Sequence, residues 1–320
     1  MEVVKLKLRV LFLRKKYIYY FLLILAVFTF FIISHLSAND SLSTFFNINS
    51  NEKAIKADLT GDGKQDLLYI TTNKDKYTLQ VNTEKESLYL EPSSTINTLG
   101  NYSLNWPMRV KLLDVTRDKI PEIFVQSSQN NNPLQHIFIY NKGKFEDILC
   151  TSNNVFGFID STSNKTPKII SGNLHQNIFT FSNYILIQNQ LEKYNYNVAD
   201  NFMGKDTIAY FINMITTLSQ DYVQPFSEIF DPKISSSSLS VISSLPYLGN
   251  NFIFQDALFT DTKSNKDGGP SQIQWILSFR GNAINTNEPK NFTLKLNLKA
   301  FDSSKEKYQF KIYSIALEGK

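Results

Sequence analysis

Residues 57–70 read ADLTGDGKQDLLYI, an acidic loop followed directly by an apolar strand. Oxygen-bearing side chains stand at the first, third, fifth and ninth positions of the loop, which are Asp58, Thr60, Asp62 and Asp66. Gly61 and Gly63 allow the tight backbone turns that bring these oxygens together. Calcium binds about six to eight oxygens. The carboxylates, the hydroxyl, the Lys64 carbonyl and water supply that number, so the loop predicts a calcium site.

The same pattern recurs twice further along the chain, which indicates an internal repeat. The second copy, residues 114–125, reads DVTRDKIPEIFV and keeps an acid, Glu122, at the ninth position. It has Arg and Lys where the first copy has glycines. The third copy, residues 160–170, has Lys168 where the last carboxylate should stand. We therefore expect calcium at the first loop only, and turns held by Asx hydrogen bonds at the other two.

The string DLTGDGKQD followed by the strand LLYI resembles the calcium loop of FG-GAP/VCBS repeats, found in integrin alpha-subunit propellers and many exported bacterial proteins. The resemblance implies three side-chain ligands and one backbone ligand: Asp58, Asp62, Asp66 and Lys64. Thr60 stands where the family usually has Asp or Asn, which lowers the implied affinity. The resemblance covers roughly residues 53–175, with one four-stranded sheet per copy. Because a closed ring needs at least about four blades, we expect a partial propeller or an open stack of blade-like antiparallel sheets.

The first 36 residues combine a basic segment with a long apolar one. Residues 1–16 carry six basic side chains and one acidic one, whereas residues 17–33 carry no charge. Twenty helical residues rise about 30 Å, the thickness of a bilayer core. We therefore predict an uncleaved transmembrane anchor over residues 17–36, with the N-terminus cytoplasmic and residues 37–320 outside the plasma membrane. A cleaved signal peptide and a helix lying on the membrane are the alternatives.

Charge and cysteine content exclude several classes of function. Six of the 33 basic residues but only one of the 29 acidic residues lie in residues 1–16, so the rest of the chain is almost neutral. It has no basic stripe of the kind that binds nucleic acid. The single cysteine, Cys150, excludes an intramolecular disulfide, and no histidine lies near it in sequence. His136 falls in a predicted strand and is expected to be structural, so we predict no catalytic and no cofactor-binding residues.

The hydrophobic pattern changes near residue 200. Before it, short apolar runs of strand length indicate an all-β region. After it, apolar residues from Ile208 to Leu218 follow a helical period, and a Ser-rich loop and four antiparallel strands follow. This order of elements weakly resembles the cone-shaped fold of the nuclear transport factor 2-like superfamily. The predicted domains are a cytoplasmic tail (1–16), a transmembrane anchor (17–36), a stalk (37–52), a β-repeat domain (53–198) and an α+β domain with helices packed on a four-stranded antiparallel sheet (199–320).

These observations favour a non-enzymatic extracytoplasmic protein that is anchored in the plasma membrane and serves in binding or scaffolding. Its partner would be a protein or a cell-wall glycan, and calcium would stabilise the β-repeat domain. One alternative is an envelope enzyme, or an accessory subunit of one, with a pocket in the C-terminal domain. The other alternative is a single-pass sensor that signals through its basic tail.

Overall fold

The computed structural model describes residues 15–37, 45–47, 54–159, 166–194, 202–218, 228–266, 269–301 and 307–318. Contacts divide the chain into two units, Met1–Ser43 and Thr44–Lys320. The α-helices are α1 (Lys15–Ser37), α2 (Lys205–Thr216) and α3 (Ser236–Leu248). The strands are β1 (Phe45–Asn47), β2 (Ala54–Ala57), β3 (Asp66–Asn73), β4 (Lys76–Asn82), β5 (Ser87–Tyr89), β6 (Arg109–Leu113), β7 (Glu122–Gln129), β8 (Asn132–Asn141), β9 (Lys144–Thr151), β10 (Val155–Ile159), β11 (Lys168–His175), β12 (Ile178–Ile187), β13 (Gln190–Tyr194), β14 (Gly249–Ser264), β15 (Pro270–Ala283), β16 (Pro289–Ala300) and β17 (Phe310–Leu317).

The first unit contains α1, which covers the predicted 17–36 segment. A membrane span needs about 20 consecutive apolar residues, and Lys15 and Lys16 occupy the first turn of this helix. Within the part of the chain that the structure describes, no helix combines the length and the apolar character that a membrane crossing requires. The predicted transmembrane anchor and single-pass plasma-membrane location are therefore wrong.

Each copy of the acidic loop belongs to an antiparallel meander of four strands. In the first meander β2 to β5 pair in sequence order, and in the second β6 to β9 do the same, with β1 added alongside β6. Strands β10 to β13 form a third meander. Each acidic loop copy connects the first and second strands of its meander. The second sheet lies between the other two, because alternate residues of β7 belong to different apolar clusters: Ile123 and Val125 pack with the first sheet, and Phe124 packs with the third.

The third sheet has eight strands, because β10 pairs in parallel with β14 and so joins the third meander to the four C-terminal strands. This pairing explains why two further parts of the predicted fold class are wrong. The described residues form no propeller, and the C-terminal strands belong to a larger sheet rather than to a separate four-stranded one. The predicted boundary at residue 198 follows β13, and strands from both sides of it share the sheet. The predicted stalk contributes β1 to the second sheet.

Two helices pack on the third sheet. The predicted amphipathic helix is observed as α2, and its apolar face is buried in the cluster that also contains Trp275 and Phe279. The second helix, α3, begins within the Ser-rich stretch that was predicted to be a loop. Ser235 is its N-cap, and the Ser235 side chain accepts a hydrogen bond from the Ser238 backbone. Serine at this position stabilises a helix start, which explains why a Ser-rich segment begins a helix here.

Candidate functional site

The first acidic loop connects β2 to β3 and is closed by hydrogen bonds to its own carboxylates. Asp58 accepts the backbone N–H of Gly61 at 2.7 Å and that of Gly63 at 2.9 Å. Asp66, which is buried, accepts the backbone N–H of Leu59 at 2.9 Å and the Thr60 hydroxyl at 3.1 Å. Both glycines have positive φ, +74° and +83°. The predicted loop is therefore present, and its first and last carboxylates hold its backbone in place.

The other two predicted ligand residues lie at the exposed tip of this loop. Asp62 accepts the Lys64 backbone N–H at 2.9 Å. The Lys64 ammonium forms an ion pair with Glu84. The hydrogen bond and the charge of Glu84 raise the pKa of Lys64, and Asp62 contributes less. The positive charge of Lys64 is thus directed mainly to Glu84 rather than to the loop carboxylates.

The first loop carries oxygen donors of the kind that calcium binds, although its three carboxylates are not among the described ligand groups that lie close enough together to share one ion. A carboxylate oxygen that accepts one hydrogen bond keeps a second lone pair, and so does a hydroxyl that donates. By this criterion the carboxylates of Asp58 and Asp62 and the Thr60 hydroxyl keep lone pairs for a ligand. Asp66 is buried and its Oδ2 already accepts two hydrogen bonds, so only its Oδ1 could contribute. The carbonyl of Lys64 is a further oxygen of the kind that calcium binds.

The second loop connects β6 to β7 and repeats the first loop position by position. Asp114 accepts the backbone N–H of Arg117 at 2.6 Å and that of Lys119 at 2.9 Å. Glu122 accepts the N–H of Val115 at 2.7 Å and the Thr116 hydroxyl at 3.2 Å. Arg117 and Lys119 adopt φ of 65° and 75°, in the left-handed region that favours glycine. The loop shape therefore persists in the second copy without either glycine.

The ninth position of the second loop is a poorer cation ligand. Burial raises the pKa of Glu122 to about 8, against two backbone hydrogen bonds that lower it, and the charges of Asp114 and Asp118 raise it further. A carboxyl group must be deprotonated to bind a metal. This agrees with the expectation of an Asx-bonded turn at the second copy. The third loop, residues 160–165, lies outside the described residues.

Gly61 of the first loop lies against Ile120 of the second. A Cβ atom added to Gly61 would lie 2.4 Å from Cδ1 of Ile120, whereas a Cβ atom added to Gly63 would have nothing within 4 Å. Gly61 is therefore required for close approach to the neighbouring loop as well as for its φ. The second loop packs directly on the predicted calcium loop.

A buried polar layer joins the second and third sheets. Arg109 forms an ion pair with Asp256, and Trp106 Nε1 donates to the same carboxylate at 2.5 Å. Lys111 Nζ donates to the Thr260 hydroxyl at 2.8 Å. Burial lowers the pKa of Arg109 to about 10 and that of Lys111 to about 8. These side chains fix the two sheets against each other. Trp106 is buried in this layer.

Aromatic side chains pack between the third sheet and the helices in the described part of the C-terminal region. Phe259 and Trp275 stack with ring centroids 4.4 Å apart in the apolar cluster between the third sheet and the helices. The Trp275 indole N–H donates to the Met203 carbonyl at 3.1 Å. Aromatic packing therefore occupies the face of the sheet that the helices cover.

One cluster of reactive side chains was missed by reasoning from the sequence. His136 on β8 is fully buried, and its Nδ1 lies 2.8 Å from Oδ2 of Asp147 on β9. Its Nε2 lies 4.0 Å from Sγ of Cys150, which is half-buried. These ligand atoms all lie within 4.8 Å of one another. His136 and Cys150 are 14 residues apart in the sequence, and the β8–β9 hairpin makes them cross-strand partners. The hairpin turn at Lys142-Gly143 could have predicted that these two strands pair and bring His136 close to Cys150.

Comparison with protein-family models and with curated proteins gives no match. The resemblance of the first loop to FG-GAP/VCBS repeats, and that of the C-terminal part to the cone fold, therefore remain predictions.

Proposed function

We propose that this protein is a non-enzymatic binding or scaffolding protein whose first acidic loop is stabilised by calcium. The observation that carries the proposal is the closed first loop, in which backbone donors hold Asp58 and Asp66. Each Asp58 oxygen accepts one of these bonds and keeps a second lone pair. The second loop supports it, because the same shape forms there with non-glycine residues at both positive-φ positions.

The packing of the sheets supports a scaffolding role. The second sheet is covered on both faces, and the helix-covered face of the third sheet is filled by aromatic side chains. Partner contacts would fall on exposed surface. The segment between β4 and β6 presents Tyr89, Tyr102 and Leu104, which are 55%, 47% and 78% exposed. Tyrosine is enriched in protein interfaces, and a protein or a glycan is the partner that we propose.

Calcium would be held by the carboxylates of Asp58, Asp62 and Asp66, the Thr60 hydroxyl and the Lys64 carbonyl. When bound, the ion supplies positive charge that offsets the mutual repulsion of three carboxylates. The chain itself supplies the loop closure, through the N–H groups of Gly61 and Gly63. The Lys64 ammonium, paired with Glu84, stays directed away from the site.

The test is thermal unfolding of the full chain with calcium chloride and with a chelator. A ligand that binds only the folded state at 100 times its Kd stabilises it by about 2.7 kcal/mol, so calcium should raise the melting temperature. Asp62→Ala should abolish the increase. Asp118→Ala is the matched control, because Asp118 holds the equivalent position of the second loop and accepts the Ile120 N–H at 2.8 Å. Melting curves of the unmodified chain that coincide with and without chelator would remove calcium from the proposal.

A further inference from the structure

We propose that Cys150 is a site of thiol–disulfide exchange, with His136 as its base and Asp147 as the residue that orients His136. The proposal goes beyond the binding role and does not depend on calcium. It rests on the geometry of the β8–β9 hairpin and on the contacts of the three side chains.

A β-bulge brings the three groups to one face of the sheet. In a regular strand, residues three apart point to opposite faces, so Asp147 and Cys150 could not both meet His136. The strand register shifts between Ile137 and Phe138, so that His136 pairs with Cys150 but Phe138 pairs with Asp147. The extra residue, Ile148, packs with the apolar cluster on the opposite face. Bulges of this kind re-aim side chains next to functional sites.

The hydrogen bonds fix the tautomer of His136. An ionised Asp147 is an acceptor only, so the Nδ1 atom of His136 carries a proton and donates to it. In the neutral ring this leaves the lone pair on Nε2, which faces the Cys150 sulfur at 4.0 Å. The arrangement of nucleophile, base and orienting group is the one that activates thiols.

Asp147 is itself held in position and keeps spare acceptor capacity. Its Oδ2 also accepts the Ser93 backbone N–H at 2.9 Å, and its side chain is 1% exposed. Its Oδ1 is buried without a hydrogen-bond partner among the described residues. A buried carboxylate with one oxygen that lacks a hydrogen-bond partner favours positive charge on the imidazole beside it.

The electrostatics agree with this assignment. Burial lowers the pKa of His136, but the hydrogen bonds and charges of Asp147 and Cys150 outweigh it and raise the pKa to about 9. An imidazolium beside a cysteine stabilises the thiolate, which is the reactive form.

The exposure of Cys150 indicates the size of its reaction partner, and the number of ligand atoms in the cluster argues against a zinc site. Cys150 is half-buried, and its sulfur also lies 3.9 Å from the carbonyl oxygen of Ile96, which lies between β5 and β6. A small disulfide therefore fits better than a protein disulfide. A structural zinc site takes four ligands. The cluster offers three ligand atoms among the described residues, which is one fewer than four, and Asp147 already binds Nδ1 of His136.

The exchange step is balanced in protons and electrons. In the resting pair the Cys150 thiol proton has already passed to His136 Nε2, and the thiolate beside this imidazolium attacks one sulfur of the small disulfide. A new S–S bond forms at Cys150 as the old one breaks, and the departing thiolate takes the proton back from the imidazolium. The products are a mixed disulfide at Cys150 and one free small thiol.

Oxidised glutathione is the probe, and intact-mass spectrometry of the full chain follows the mixed disulfide. Cys150 is the only cysteine, so the signal is unambiguous. The same chain unfolded in urea supplies the reference rate, because a free thiol is only a few per cent ionised at neutral pH. We expect the folded chain to react about tenfold faster or more. A folded chain that reacts more slowly than the unfolded one would overturn the proposal.

Variants separate activation from simple exposure. His136→Gln and Asp147→Asn should reduce the folded rate to the unfolded rate or below, and should remove the ultraviolet absorbance of the thiolate. His175→Gln, a change at an exposed histidine, is the matched control and should react like the unmodified chain. Circular dichroism identifies variants that fold. A folded His136→Gln that keeps the full rate and absorbance would contradict the role of His136.

Discussion

The contact between the two acidic loops can be tested by three substitutions. Gly61 and Gly63 both have positive φ, but only Gly61 faces a neighbour, the side chain of Ile120. Gly61→Ala and Gly63→Ala therefore share the backbone penalty and differ in the clash. Ile120→Ala removes the atoms that a new methyl group at residue 61 would meet.

The expected magnitudes follow from that geometry. Alanine in the left-handed region costs roughly 1–2 kcal/mol, so Gly63→Ala should lower the free energy of unfolding by about this amount. In Gly61→Ala the new Cβ would lie 2.4 Å from Ile120 Cδ1, and the isoleucine must move. Overpacking of this kind costs roughly 1–3 kcal/mol. Gly61→Ala should therefore lower the free energy of unfolding by about 1–3 kcal/mol more than Gly63→Ala does.

Urea unfolding of the two single glycine variants, of Ile120→Ala and of the double variant Gly61→Ala/Ile120→Ala measures the coupling. We expect the double variant to lose about 1–3 kcal/mol less than the sum of its single variants. Equal losses for the two glycine variants, together with additive effects in the cycle, would refute the proposed contact between the loops.

Three further outcomes are expected. Lys119→Gly should raise the unfolding free energy by up to about 1 kcal/mol because it relieves a positive φ. The control Lys76→Gly, within strand β4, should lower the unfolding free energy. A lower unfolding free energy for Lys119→Gly would contradict the loop geometry. Asp256→Ala should cost about 3–5 kcal/mol in urea unfolding because it leaves Arg109 buried and unpaired, and replacing both residues by apolar ones should recover most of that loss. The raised pKa of Glu122, about 8 against an ordinary 4.5, means that the folded chain holds more protons than the unfolded chain between these values. Stability should therefore fall as the pH rises through this range, and melting curves of Glu122→Gln should lack that fall.

Local patterns in the sequence predicted the strands and the first loop well. The alternation of apolar and polar residues around Leu294 and Leu296 predicted β16, and the apolar period from Ile208 predicted α2. Asp58 and Asp66 hydrogen-bond to the backbone of the predicted loop, and their role as calcium ligands stays a prediction. Each of these features is set by residues that are close in sequence.

Long-range pairing and local irregularities could not be predicted. The parallel pairing of Phe156 with Leu258 merges two sheets, and no local pattern specifies a partner about 100 residues away. Simple hairpin pairing around Lys142-Gly143 would place His136 opposite Leu149, and only the bulge at Ile148 brings it opposite Cys150. The apolar stretch at residues 17–36 predicted a helix correctly but a membrane crossing wrongly.

The most direct test of the central claim is a calorimetric titration of the full chain with calcium chloride. The account predicts one binding site, which Asp62→Ala removes and Asp118→Ala keeps. Binding of two calcium ions, or binding that survives Asp62→Ala, would contradict the assignment of the first loop as the calcium site.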